Sequence, residues 1–188
     1  RRTRGNESYF RPAKYKAGLR YESPRGNDFV FSAKVYAGTE DTGELYYGAF
    51  IRPELYLTET LTLGGRVGFK KYREWLLWDS EVSQLAGYET DRYSGDIRLD
   101  WYPSNRQEVR LKFQWIGLDA EIINSYQLDN SGDLQTSGTE SSSFSISDTA
   151  FQIRYRYQLA PLSDIFLVYS RGGFFGSDSG DKGPGTLF

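Results

Sequence analysis

The sequence predicts an all-β fold: an antiparallel up-and-down transmembrane β-barrel, of which this chain supplies about eight strands of a larger barrel. Three observations predict it. Apolar residues recur at every second position, short and long turn-rich segments alternate, and aromatic rings are abundant. Fifteen Tyr, 12 Phe and 4 Trp make up 16% of the 188 residues, and such rings suit the two membrane interfaces. The mean hydropathy of −0.60 does not oppose a membrane barrel, because lipid-facing and lumen-facing residues alternate along each strand. No stretch approaches the roughly 18 apolar residues of a spanning helix. Residues 1–188 are expected to form a single barrel segment.

The strands follow in order. Tyr15, Ala17, Leu19 and Tyr21 alternate with Lys16, Gly18, Arg20 and Glu22. Phe29, Phe31, Ala33, Val35 and Ala37 make the second apolar face, opposed by Ser32, Lys34 and Gly38. Leu45, Tyr47, Ala49, Ile51 and Leu55 make the third, against Gly48, Arg52 and Glu54. Leu61, Leu63, Val67 and Phe69 oppose Thr62, Arg66 and Lys70. Ile97, Leu99 and Trp101 alternate with Asp96, Arg98 and Asp100, and Val109, Leu111, Phe113 and Trp115 with Arg110, Lys112 and Gln114. Phe151, Ile153, Tyr155, Tyr157 and Leu159 alternate with Gln152, Arg154, Arg156 and Gln158. The eighth strand, near residues 164–171, is apolar on both faces.

Connections at 23–28, 58–60, 103–107 and 160–164 are short. Those at 38–44, 79–89 and 129–147 are longer, and the last is rich in Ser, Gly and Asp. This parity fits periplasmic turns at one end and extracellular loops at the other. A bulge is expected near Ile116 and Gly117, where the apolar residues change phase. By the same parity residues 1–13 and 172–188 fall on the long-loop side, and no methionine is present. The chain is therefore expected to be incomplete at both ends, with edge strands that pair with further polypeptide.

Composition narrows the chemistry. With no Cys there is no disulfide framework or thiolate metal site, and with no His the commonest general base and metal ligand are lost. The net charge of −2, from 23 basic and 25 acidic residues, gives no reason to expect nucleic acid as a partner. No metal or other cofactor is expected. Asp129, Asn130 and Asp133 are too sparse for a calcium loop. Asp119 and Glu121 offer a carboxylate pair, but strand alternation alone explains their spacing.

The most suggestive set is the cations on the polar face: Lys16, Arg20, Lys34, Arg52, Arg66, Lys70, Arg98, Arg110, Lys112, Arg154 and Arg156. They can line an aqueous path for anionic or sugar-like solutes, or be neutralised by Glu22, Glu54, Asp96, Asp100 and Glu108 across strands. The interleaved acids favour neutralisation. Trp75, Trp78, Trp101 and Trp115 read as interface girdle residues rather than sugar-stacking platforms.

Two segments resemble a known family. One is Asn105-Arg106-Gln107-Glu108-Val109-Arg110-Leu111-Lys112-Phe113-Gln114-Trp115-Ile116-Gly117. The other runs from Arg154-Tyr155-Arg156-Tyr157-Gln158-Leu159-Ala160-Pro161-Leu162 through Ser163-Asp164-Ile165-Phe166-Leu167-Val168-Tyr169-Ser170-Arg171-Gly172. Both resemble the C-terminal barrel of an uncharacterised outer-membrane family that carries an N-terminal domain similar to family-nine carbohydrate-binding modules. The resemblance covers mainly residues 100–172. It implies a bacterial outer-membrane location, lipid as the surrounding partner, and a glycan or other polypeptide as further partners. It brings no catalytic residues. Two functions stay open: a non-enzymatic barrel that anchors or assembles a carbohydrate- or partner-binding domain, and a pore or transporter for a polar or anionic solute.

Overall fold

The computed structural model describes residues 11–79, 84–129, 132–138 and 141–177. They form one antiparallel sheet of nine strands, with no helix among them. The strands are β1 (Lys16–Glu22), β2 (Phe29–Thr39), β3 (Leu45–Thr58), β4 (Leu61–Asp79), β5 (Gln84–Ser104), β6 (Gln107–Leu128), β7 (Leu134–Gly138), β8 (Phe144–Ala160) and β9 (Ser163–Ser177). The order across the sheet is β1-β2-β3-β4-β5-β6-β8-β9, and β7 pairs only with β6. Eight long strands thus run up and down beside their chain neighbours. β1 and β9 are the edges, and among the described residues nothing pairs with their outer sides. The sheet is open.

Local chemistry explains the tight end. Residues 59–60, 105–106 and 161–162 are two-residue connections. Backbone bonds from Tyr102 N–H to Thr60 O (2.8 Å) and from Gln158 N–H to Arg106 O (2.8 Å) tie this end across strands. Pro161 suits its turn, since it presets φ and lacks the N–H a ladder would need. Leu162 follows with φ of 66° and is fully exposed, in the left-handed region that a branched side chain enters at a cost.

The opposite end departs from expectation. Two of the segments expected as long loops contain strand: β5 already begins at Gln84, and residues 129–147 contain both β7 and the start of β8. A ninth strand therefore joins the eight expected. Its cause is local pairing, because Asp129 closes a hairpin back onto β6. The Asp129 carboxylate accepts the Asp133 N–H at 2.9 Å, and Asp129 N–H donates to Asp133 O at 3.1 Å. Asn130 lies outside the described residues. Connection length is also less asymmetric than expected, since residues 23–28 form no shorter a link than residues 40–44. The asymmetry lies in strand length instead. β4, β5 and β6 have 19, 21 and 22 residues. At about 3.3 Å per residue the longest runs roughly 70 Å, about twice what a bilayer core requires even when tilted.

This overhang holds what compact packing the sheet has. Leu76 and Leu85 are buried on one face against Trp78, Tyr126, Leu128 and Leu134. Ala86, Tyr88 and Ala120 are buried on the other face, against Leu77, Leu118, Ile122 and Phe144. The expected bulge at Ile116–Gly117 is absent: pairing runs unbroken from Arg92↔Leu118 to Gly95↔Trp115, and likewise against β8. Ile116 and Leu118 change the apolar phase because the polar face itself turns apolar toward the overhang, not because the strand slips. The breaks in register fall instead between Tyr72 and Trp75 and between Gly87 and Tyr88.

Two outcomes follow from these features. Replacing Leu162 by Gly should relieve the turn and stabilise the fold by up to about 1 kcal/mol in denaturant unfolding; unchanged or lower stability would show the turn unstrained. In the overhang, Tyr126 donates its hydroxyl to the buried Glu74 carboxylate. Burial, and then that bond, push its pKa up to about 12. An unfolded tyrosine releases its proton near 10, so this stabilisation is complete below about pH 10 and is lost as pH rises toward 12. The difference in phenolate absorbance between the native chain and Tyr126→Phe should show a single step near 12.

Candidate functional site

The register sorts every strand residue onto one of two faces. Leu19, Val35, Ala49, Phe69 and Tyr93 form one cross-strand row, and Phe29, Leu55, Leu63, Leu99, Leu111, Ile153 and Tyr169 another on the same face. Phe31, Phe113 and Tyr155 share it, as their phase predicts. This apolar face is the exposed one: Leu19 is 78% exposed, Val67 65% and Ile97 52%. On β3, Leu45, Tyr47, Ala49 and Ile51 are exposed while Tyr46 and Gly48, facing the other way, are buried. The usual order of a water-soluble sheet is inverted.

The apolar face has edges. On β4 it runs from Leu61 to Phe69, nine residues and so about 30 Å of strand. It stops at Lys71, whose ammonium lies 2.7 Å from Glu89 and 3.3 Å from Asp91. Asp119 and Glu121 pair in register with Asp91 and Glu89, so that carboxylate pair belongs to this charged rim.

The band also slides along the strands. Its run at β1, from Tyr15 just before the strand to Tyr21, is centred on Gly18, whose register partners lead through Tyr36, Gly48, Lys70, Arg92, Leu118 and Ile146 to Gly176 on β9. The band on β9, Ile165 to Tyr169, is centred on Leu167, nine residues short of Gly176. Nine residues over seven strand steps is about 1.3 per step. With about 3.3 Å per residue and about 4.8 Å between strands, a level band requires strands tilted by about 40°. That lies within the roughly 35–45° of transmembrane barrels, and a band of about 30 Å so tilted stands about 23 Å tall, close to their apolar height. Arg171, on the apolar face of β9, is what bounds the band on that strand.

All eleven cations singled out in the sequence lie on the opposite face, where their side chains divide into two groups. Toward the tight turns a ladder of alternating charge crosses β3, β5, β6, β8 and β9. Glu54 meets Arg98 at 3.4 Å, Arg98 meets Asp100 at 3.3 Å, and Asp100 meets Arg110 at 3.5 Å. Arg110 pairs with Glu108, which lies 3.7 Å from Arg156, and Arg156 reaches Asp164 at 3.1 Å. Arg98 spans β4 to reach Glu54 because residue 64 is glycine, where a Cβ would come within 2.9 Å of the guanidinium. Lys112 sits in the same region between Arg98 and Gln152, and Arg154 lies over the Phe166 ring at 4.8 Å. Arg52 pairs in register with Ser32.

The second group lies toward the overhang and rests on rings. Arg20 still has Glu22 as a partner. Lys16 and Lys34 lie 5.3 and 5.7 Å from the Tyr36 ring, and Arg66 lies 4.4 Å from Phe50. Lys70 stands about equally over Tyr46 and Tyr72, at 4.1 and 4.0 Å, and donates to the Tyr72 hydroxyl. Tyr36, Tyr46, Tyr72 and Trp75 follow one another at 6.3, 5.8 and 5.5 Å between centroids. Sequence reading grouped the tyrosines with the interface aromatics. Their phase was the available signal, since Tyr36, Tyr46 and Tyr72 are in step with the polar residues.

The four tryptophans separate. Trp101 and Trp115 lie on the apolar face, the first toward the tight turns and the second toward the overhang, where its indole donates to Ser147 at 3.2 Å. Trp75 is on the polar face, stacked on Tyr72, and Trp78 packs on the Leu76–Leu85 cluster. Both belong to the overhang.

No protein-family model, curated protein or solved structure matches the chain. Its geometry therefore carries the functional reading: one face sheds water, and the other holds fixed charges partly neutralised against one another. Close ring packing on the polar face is testable at Gly48, where a Cβ would meet the Tyr36 ring at 2.8 Å and the Phe69 carbonyl at 2.7 Å. Gly48→Val should lower unfolding stability in micelles by about 1–3 kcal/mol; a neutral result would mean that Tyr36 is free to move away.

Proposed function

We propose that this chain is part of a bacterial outer-membrane β-barrel with no catalytic role of its own, which anchors or assembles a surface or periplasmic carbohydrate- or partner-binding domain. The inverted exposure of its two faces carries the proposal. Exposed Leu19, Val35, Ile51, Val67, Ile97 and Phe113 have no reason to line up against water over five strand steps, but lipid tails accept them. The slide of the band, about what tilted spans need, supports the same reading. The charge ladder favours anchoring over conduction, because Arg98, Arg110 and Arg156 are held by Glu54, Asp100, Glu108 and Asp164, which offsets much of the charge on that part of the polar face.

Outer-membrane lipid is then the partner of the apolar face. The two edges need partners as well: β1 and β9 are exposed almost throughout, and each unpaired backbone group costs several kcal/mol in hydrocarbon. Further strands of the same polypeptide, or of another chain, close the barrel. The binding domain, and a glycan as its ligand, follow from the family resemblance of residues 100–172.

Ile97 tests the reading, because it lies mid-band on β5. In a membrane, Ile97→Arg should cost about 2–4 kcal/mol of folding stability in lipid vesicles, whereas Thr62→Arg on the polar face should cost far less. Equal small effects of the two substitutions, with Ile97→Arg improving solubility in plain buffer, would refute a membrane location.

A further inference from the structure

On the polar face, where β4 and β5 lie side by side, a depression of about 260 Å³ is lined in part by Arg66, Lys70, Arg92, Ser94, Asp96 and Gln114. Lys70 and Arg92 are direct cross-strand partners. Like charges placed opposite one another destabilise a sheet unless something relieves them. Elsewhere on this face relief is present: Arg98 faces Lys112, but Glu54 and Asp100 hold Arg98. Around Lys70 and Arg92, among the described residues, no carboxylate lies within ion-pair distance of either. Arg66, on the same face four residues from Lys70, also makes no ion pair, although Asp96 is its register partner. Its Nε is buried without a hydrogen-bond acceptor. Three cations thus converge on one hollow against a single acid, with Ser94 and Gln114 as neutral donors beside them.

We propose that this hollow binds a small solute bearing an oxyanion, a carboxylate or a phosphate, between Lys70, Arg92 and Arg66. A guanidinium holds such an oxyanion through two parallel bonds and an ammonium adds a point charge, so the anion relieves the Lys70–Arg92 repulsion and supplies the acceptor that Arg66 Nε lacks. Glu40, the acid whose field reaches Lys70, is on the loop after β2 and outside the hollow. The proposal rests on the polar face being the aqueous one, as in the function proposed above, and gives the barrel a solute-binding site in addition to its anchoring role.

Calorimetric titration of the full chain in detergent micelles tests it, with inorganic phosphate, glucuronate and neutral glucose as probes. Micelles read the site whether or not the chain inserts into vesicles, so failure here and failure of the membrane reading are distinguishable. Phosphate and glucuronate should bind saturably and glucose should not. Arg92→Gln should weaken phosphate binding about tenfold or more, the effect of losing one charge-assisted hydrogen bond, and Arg66→Gln should act in the same direction. Lys112→Gln removes an equal charge from the same face outside the hollow and should leave affinity within about twofold. Absence of saturable anion binding, equal weakening by Arg92→Gln and Lys112→Gln, or binding of glucose as tight as glucuronate would overturn the site.

Discussion

Continuous cross-strand register is the constraint on which the rest of this structure depends. Side chains alternate faces with period two, so once Leu19 is set opposite Val35, and Val35 opposite Ala49, each strand's whole apolar set is committed to one side. A one-residue slip of β5 would carry Arg92 and Arg98 onto the apolar face and dismantle both the charge ladder and the cationic hollow. The two-residue turns at 59–60, 105–106 and 161–162 hold this register from the tight end. Register breaks are confined to positions beside the turns and in the overhang, so the register does not shift within the band, although the β3–β4 pairing skips Arg52 and Pro53.

The long strands change their pattern of burial along their length. Within the band their apolar side chains are exposed and their opposite side chains are charged. Beyond the rim at Lys71, Asp91 and Asp119, the same strands bury Leu76, Leu85, Tyr88 and Ala120 in small clusters on both faces. Water surrounds that part in the reading proposed here, and ordinary burial of apolar surface stabilises it. β7 adds cover there, with Leu134 against the Leu76–Leu85 cluster and Ser137 bonded to Gln84 at 2.8 Å. In the proposed reading the overhang is the part of these strands that stands in water, and it is the platform that holds another domain.

Charge is not spread evenly over the polar face. Its tight-turn half carries a ladder in which Arg98, Arg110 and Arg156 each meet two acids on the same or nearby strands. Its other half carries cations that lean on tyrosine and phenylalanine rings. Ring contacts stabilise a cation without cancelling its field, so the two halves differ in what they offer a solute. One has most of its guanidinium charge held by carboxylates, and the other is electropositive.

Much of this was legible in the sequence, and the reason is periodicity. Eight strands, the faces of Leu99, Phe113 and Ile153 against Arg98, Lys112 and Arg154, and the tight turns all follow from local alternation and turn chemistry. Location in a membrane, by contrast, is inferred from faces and aromatic content and is not a property of any single strand. Tertiary structure alone decided which residues meet. β7 and the start of β8 lie in a tract whose Ser, Gly and Asp composition reads as loop, and only pairing with β6 made strands there. Arg98 reaches Glu54 across Gly64, and Lys70 comes to face Arg92, through register between strands distant in sequence. Trp75 and Trp78 left the apolar band for the same reason, because a register break after Tyr72 and the length of the β4–β5 pairing set their faces. Period two is a property of the local chain, whereas the choice of neighbour requires every strand to be in place.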